Sequence, residues 1–242
     1  MKSFYLSFLF LAFSFFANAQ LYVGARVGLN VANQKVEING VPIAQDPKSI
    51  LVWDIVLPVE YAFSESFSLQ TEFHFIQKGE LAEFFDGMGD FVSVECRYNY
   101  FDIPLLAKLS FNSGGGKIFV IGGPFFSYGL GGTEFSMNGD QKQEREIDFE
   151  DLFSLGGRRN YDRVNFGATI GVGMDFLLNR GNIVTDLRYG VSFDNVFEET
   201  ILNDVLTTRN FGIAITIGYM HNFGKKRKTK RKNIDSGYEI LK

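Results

Sequence analysis

The stretch NFGATIGVGMDF, residues 165–176, decides how the rest of the chain is read. Phe166, Ala168, Ile170, Val172, Met174 and Phe176 fall on one parity, and Asn165, Gly167, Thr169, Gly171, Gly173 and Asp175 on the other. Strict alternation is the period of a β-strand, whose successive side chains point to opposite faces. A soluble barrel puts its bulk inside. A uniformly bulky apolar face opposite small or charged residues suits the inverse, a barrel with lipid outside.

The same pattern recurs on either side. Leu21, Val23, Ala25, Val27 and Leu29 alternate with Tyr22, Gly24, Arg26, Gly28 and Asn30. Trp53, Ile55, Leu57, Val59, Tyr61 and Phe63 oppose Asp54, Val56, Pro58, Glu60 and Ala62. Phe67, Leu69, Thr71, Phe73 and Phe75 oppose Ser68, Gln70, Glu72, His74, Ile76 and Lys78. Phe101, Ile103, Leu105, Ala107 and Leu109 oppose Tyr100, Asp102, Pro104, Leu106 and Lys108. Residues 117–130 are apolar on both parities, so their register stays open. Two later runs, 183–193 and 210–223, alternate again.

Two further features separate a membrane barrel from a soluble sandwich. Aromatic residues recur near strand ends (Tyr22, Trp53, Phe63, Phe67, Tyr98, Phe111, Phe176, Phe193, Phe211 and Phe223), as in interfacial girdles. Connections alternate between long (31–49, 79–97, 132–163, 194–208) and short (64–66, 112–116, 177–181), as expected of outer loops and periplasmic turns. The expected fold is all-β: an eight-stranded antiparallel up-and-down transmembrane barrel over residues 20–224. An even strand number returns both mature termini to the periplasm.

The 242 residues include 26 Gly and 27 Phe but one Cys and two His. One cysteine excludes an internal disulfide framework and a Cys-rich zinc site. Residues 1–19 read as a secretory signal peptide: Lys2, an apolar run from Phe4 to Phe16, then Ala17-Asn18-Ala19 before Gln20. An N-terminal membrane anchor is the alternative, but the run is short for a span. Residues 225–242 are a basic tail, Lys225, Lys226, Arg227, Lys228, Lys230, Arg231 and Lys232 at its start, expected to be disordered. Its eight Lys and Arg face two acids, whereas residues 20–224 hold 15 basic and 26 acidic residues. Export sets nucleic acid aside as a partner. The tail suits anionic lipid head groups, peptidoglycan carboxylates, or an acidic periplasmic protein.

The inward parity predicts a lumen charge network of Arg26, Glu60, Glu72, His74, Lys78, Asp102, Lys108, Asp175, Asp186 and Arg188. An eight-stranded barrel is only wide enough for side chains to fill, so these charges must pair with one another. They form either a structural plug of salt bridges or, alternatively, a narrow ion path or switchable gate. Glu72 with Asp102, and Asp175 with Asp186, are carboxylate pairs of the kind acid–base chemistry uses, but Lys108 and Arg188 stand close enough to neutralise them. His74 and His221 read as a lumen and an interface histidine. No nucleophile elbow, metal-binding helix motif or phosphate loop is present, and no catalytic residue, metal site or cofactor is assigned. In the longest connection, acids from Glu134 to Asp151 precede Arg158, Arg159 and Arg163. A short helix is expected near 143–153, with Phe149, Leu152 and Phe153 exposed to dock a partner or fold back on the rim. Cys96 is expected in an outer loop.

Four segments carry a family resemblance. Gly24-Ala-Arg-Val-Gly-Leu-Asn30 resembles a G-x-x-x-G-x-N opening, and Phe67-Ser-Leu-Gln-Thr-Glu-Phe73 with Gln77-Lys-Gly79 resembles SLQPELLYSQKG. Tyr98-Asn-Tyr-Phe-Asp-Ile-Pro-Leu-Leu-Ala-Lys108 is similar to LNYLEIPLLLK, and Gly122-Gly-Pro-Phe125 to a GPY turn. These are segments of the PorT-like outer-membrane β-barrel family of Bacteroidetes, related in shape to OmpA and OmpX barrels. The resemblance implies a Gram-negative outer membrane and an eight-stranded barrel, and little about activity. The family's founding member serves type IX secretion; the basic tail departs from the pattern. The resulting reading is a non-enzymatic outer-membrane barrel in contact with lipid and lipopolysaccharide, with a structural or interaction role for its long loops and tail. An accessory role in a type IX-like secretion machinery is the alternative. Terminal-peptide mass spectrometry of membrane fractions should find the mature chain starting at Gln20; a peptide from within 1–19 would show a retained anchor.

Overall fold

The structure, a computed structural model, describes residues 20–39, 41–42, 47–85, 89–139, 141–147, 149, 163–195, 197–201 and 204–224. The signal segment 1–19 and the tail 225–242 lie outside the described residues. The described residues form strands and turns without a helix: β1 (Gln20–Ile38), β2 (Val41–Pro42), β3 (Ile50–Ala62), β4 (Phe67–Phe85), β5 (Phe91–Ser113), β6 (Gly116–Asn138), β7 (Gln141–Ile147), β8 (Val164–Leu178), β9 (Gly181–Ser192), β10 (Phe197–Ile201) and β11 (Asp204–Asn222).

Eight of these close a ring in the order β1, β3, β4, β5, β6, β8, β9, β11, and β11 pairs antiparallel back onto β1. β2, β7 and β10 extend individual hairpins off β1, β6 and β11. Register partners lead from Leu21 through Tyr61, Leu69, Ala107, Gly122, Ile170, Tyr189 and Ile213 to Val31, ten residues further along β1. Strand number and stagger together fix tilt, at about 40°, and diameter.

Parity sorts the side chains as the alternation requires. Val27, Leu29, Ile55, Leu57, Phe75, Leu105, Ile170, Val172, Ile215 and Ile217 form an exposed apolar belt. The two parities of residues 117–130 separate once the register is known. Lys117, Phe119, Ile121, Phe125 and Ser127 point inward, and Ile118, Val120 and Leu130 outward. Sequence alone left this open because both sets are apolar: β6 puts Phe119 and Ile121 into the small hydrophobic part of the interior, with Tyr22, Leu106, Val184 and Met220.

Several expectations are corrected. Over their described residues the long connections are largely strand. β4 and β5 continue to Phe85 and from Phe91, β6 runs to Asn138, and β10 and β11 occupy much of 194–208. Their polar outer halves still satisfy backbone groups by pairing, so loss of the apolar pattern there marks departure from lipid rather than the end of the sheet. The expected helix near 143–153 is instead β7 over its described beginning, with Gln143 opposite Ser136 and Arg145 opposite Glu134; residues 150–153 lie outside the described residues. Cys96 sits on β5, buried with Ile76, Tyr98 and Tyr100. Tyr22 and Tyr98, placed in the aromatic girdles, point into the barrel.

The two ends differ. At one end the turns are short: Ser64 Oγ accepts from the Phe67 N–H at 3.0 Å. At the other the wall is uneven. The sheet β4–β7 rises high, with β5 and β6 of 23 residues each, while β9 has 12. A register shift between Asn99 and Tyr100, with Gly131 opposite at φ 142°, marks where the tall section begins. Val172 lies midway along β8 on the apolar belt. Val172→Arg should lower stability in lipid vesicles by ~2–4 kcal/mol, measured by reversible urea unfolding, as a charge on the lipid face does near the midplane.

Candidate functional site in the barrel interior

The ring brings distant segments onto one axis. Arg26 of β1 donates to Glu72 of β4 and to Asp186 of β9, and both ends of each pair have fully buried side chains. Arg188, two residues from Asp186 and on the same parity, forks onto both Glu72 oxygens and reaches Asp186 Oδ2 at 2.8 Å. Gln70 donates to Glu72, and Thr216 donates to Asp186 Oδ1 at 2.8 Å. His74 lies between two acids, Nδ1 3.0 Å from Asp54 Oδ1 and Nε2 2.7 Å from Glu72 Oε2. Both ring nitrogens face carboxylates, an arrangement that suits the imidazolium form, since only it donates twice. Arg26, Arg188 and His74 then balance Glu72, Asp186 and Asp54.

Two smaller sets flank this cluster. Lys78 reaches Asp102 at 2.7 Å and Ser127 at 3.0 Å, and its ammonium lies 4.6 Å from the Tyr100 ring centre. Ser127 in turn donates to Asp102. Nearer the short turns, Lys108 bridges Glu60 at 3.0 Å and Asp175 at 2.9 Å and sits 4.1 Å from the Phe119 ring centre. Ser68 donates to Glu60 at 2.7 Å. Glycines on β8 make the room. A Cβ at Gly171 would come 2.7 Å from Arg188 Cγ, and one at Gly173 would come 2.8 Å from Asp186 Cβ.

All ten lumen charges named from the alternation lie inside the barrel. The two carboxylate pairs weighed for acid–base work are separated by their partners. Glu72 is held by arginines and His74, Asp102 by Lys78 and Ser127, Asp175 by Lys108, and Asp186 by Arg26 and Arg188. Among the described residues no group of three His, Cys, Asp or Glu is arranged to hold a metal ion. Sequence reasoning missed Asp54 and Lys117. Asp54 shares parity with Glu60, which was a sufficient signal; Lys117 lay in the run whose register was open. His221 sits outside the lumen, next to Tyr219 and Phe223.

The interior is interrupted rather than hollow. Beyond the central cluster lies a cavity of about 80 Å³, bordered by His74, Lys78, Phe125, Arg188 and Asn210. An open recess of about 1030 Å³ enters from the short-turn end as far as Glu60 and Asp175. At the tall end Phe149 is buried against Tyr98 and Tyr100, and Arg163 donates to its carbonyl. Phe149 thus folds back on the rim; Leu152 and Phe153 lie outside the described residues.

An apolar belt outside, paired charges inside and an eight-strand ring closed on itself define an integral barrel of the outer membrane. The chain belongs to the outer membrane protein β-barrel domain family, whose profile matches residues 13–198. It is similar to the solved outer membrane protein OprG from Pseudomonas aeruginosa, at 10% identity over 86% of this chain and 97% of that one, with a TM-score of 0.53. The N-terminal β-barrel domain of Pseudomonas aeruginosa OprF aligns at 10% identity over 81% and 96%, TM-score 0.36. Ail, the attachment invasion locus protein of Yersinia pestis, aligns at 12% identity over 83% and 99%, TM-score 0.36. The OprG likeness speaks for the fold alone. No match was found among curated protein sequences.

Removing one member of a buried ionic cluster strands the others, at a cost of ~3–5 kcal/mol. Glu72→Ala should therefore destabilise the barrel by that amount in vesicle unfolding, while Glu65→Ala in an exposed turn should change it by less than ~0.5 kcal/mol.

Proposed function

We propose that this chain is a non-enzymatic outer-membrane barrel that acts by contact, not by conduction or chemistry. The observation that carries this reading is the interior. Arg26, Glu72, Asp186 and Arg188 meet across it with buried side chains, and Asp54, Glu60, Glu72, Asp102, Asp175 and Asp186 each have a cationic partner. Such a lumen is a structural plug. The short turns then face the periplasm and the tall β4–β7 sheet faces the exterior, within reach of lipopolysaccharide. Gln20 and Gly224, the two ends of the described barrel, lie at the short-turn end, where Phe223 N donates to Leu21 O at 2.8 Å. On this reading the signal-cleaved Gln20 and the basic tail are periplasmic, where the tail contacts peptidoglycan carboxylates or an acidic protein. No nucleic acid partner and no cofactor enter the reading.

A second reading, an accessory subunit of a type IX-like secretion machinery, is favoured by the resemblance of residues 98–108 to the PorT-like strand. Crosslinking in intact cells tests both, comparing the full chain with one ending at Gly224. Recovery of a secretion component only with the tail supports the second reading; equal recovery of lipid and abundant porins by both chains supports a stand-alone barrel. In planar bilayers the protein should show no pore-sized conductance, and sustained opening would overturn the plug.

A further inference from the structure

At the short-turn end the turn between β8 and β9 meets the last residues of β11 on the lipid side of the wall. Tyr219, His221 and Phe223 share the outward parity that begins with Ile213, Ile215 and Ile217, so aliphatic residues give way here to amphipathic ones. That change marks the head-group level of a bilayer. The corner is built. The Tyr219 ring lies over Gly181, where a Cβ would come 2.7 Å from Tyr219 Cζ. Tyr219 Oη lies 3.2 Å from the Arg180 carbonyl oxygen and 3.2 Å from His221 Nδ1. One arrangement satisfies all three groups: Oη donates to the carbonyl and accepts from Nδ1–H. It leaves His221 Nε2 as an acceptor with no hydrogen bond among the described residues, and Phe223 lies edge-on to the ring at 4.8 Å. The Arg180 side chain is exposed and has no hydrogen bond or ion pair among the described residues. The other charged side chain in the three short turns, Glu65, stands in the turn between β3 and β4.

We propose that this corner binds an anionic glycerophospholipid, with Arg180 on the phosphate, His221 Nε2 accepting from a head-group hydroxyl, and Tyr219 and Phe223 against the upper acyl chain. A cation beside an aromatic pair at the interface supplies both halves of such a lipid. The leaflet assignment rests on the orientation given under Proposed function; the binding itself does not.

The test uses nanodiscs of phosphatidylcholine containing a minor share of phosphatidylglycerol, and native mass spectrometry of lipid retained on the extracted barrel. The mature chain should retain phosphatidylglycerol about fivefold above its share, the effect of roughly one basic group at a membrane surface. The chain ending at Gly224 and Arg180→Lys should keep that enrichment. Arg180→Gln with His221→Asn should abolish it while still migrating as a folded barrel; if the pair fails to fold, Arg180→Gln alone serves. Unchanged enrichment in these variants, or its loss on removing only the tail, overturns the site. A protease site engineered into the Ser64–Ser66 turn reports orientation in intact cells separately. Cleavage from outside overturns the leaflet assignment and the orientation, whatever the discs show.

Discussion

Everything in this structure depends on the hydrogen bonds between β1 and β11. In hydrocarbon an unpaired backbone N–H or C=O costs several kcal/mol, so a sheet that crosses a membrane must have no edge. The register from Tyr22 opposite Asn222 to Ile38 opposite Leu206 removes the last two edges at once. Closure at a ten-residue stagger then fixes the bore, and the bore decides what the inward parity can hold. Glycine and alanine where strands crowd, and long charged side chains where they part, are the two ways of filling it.

The charges inside need a separate account, because burying ions does not by itself stabilise a protein. What the cluster has in its favour is the pairing of its acids, although Arg26 Nε and Arg188 Nε are buried without a hydrogen bond. Glu72 is met by two guanidinium groups, an imidazole and an amide, and Asp186 by two guanidinium groups and a hydroxyl. An apolar filling of the same bore would have left the chain hydrophobic on both parities, and such a strand has no preferred side to turn toward lipid. The ionic lumen thus gives each strand a direction as well as a partner.

Much of this was legible in the sequence because the membrane imposes period two on long stretches. Arg26, Glu72 and Arg188 could be placed inside by counting parity alone. Which acid meets which base could not, since that depends on stagger between strands that lie as much as 160 residues apart, as Arg26 and Asp186 do. Residues 117–130 failed because both parities are apolar, and the outer halves of β4–β7 failed because hydropathy reports lipid, not pairing. Phe149 was ambiguous for a related reason: an isolated aromatic residue in an acidic segment carries no period, and only the pocket between Tyr98 and Tyr100 explains its burial.

The central cluster also has a bearing on assembly. Side chains alternate with a period of two, so a slip of two residues between strands keeps every apolar group in lipid and every polar group inside. Hydropathy is blind to such an error. The ion pairs are not: a two-residue slip of β1 would carry Arg26 some 6.6 Å away from Glu72 and Asp186, leaving its buried guanidinium without a partner and each acid with one guanidinium fewer. Arg26, Glu72 and Asp186 come from the first, third and seventh strands of the ring, so their meeting certifies several registers together. The cluster therefore favours the native register over barrels that are closed but slipped by two residues.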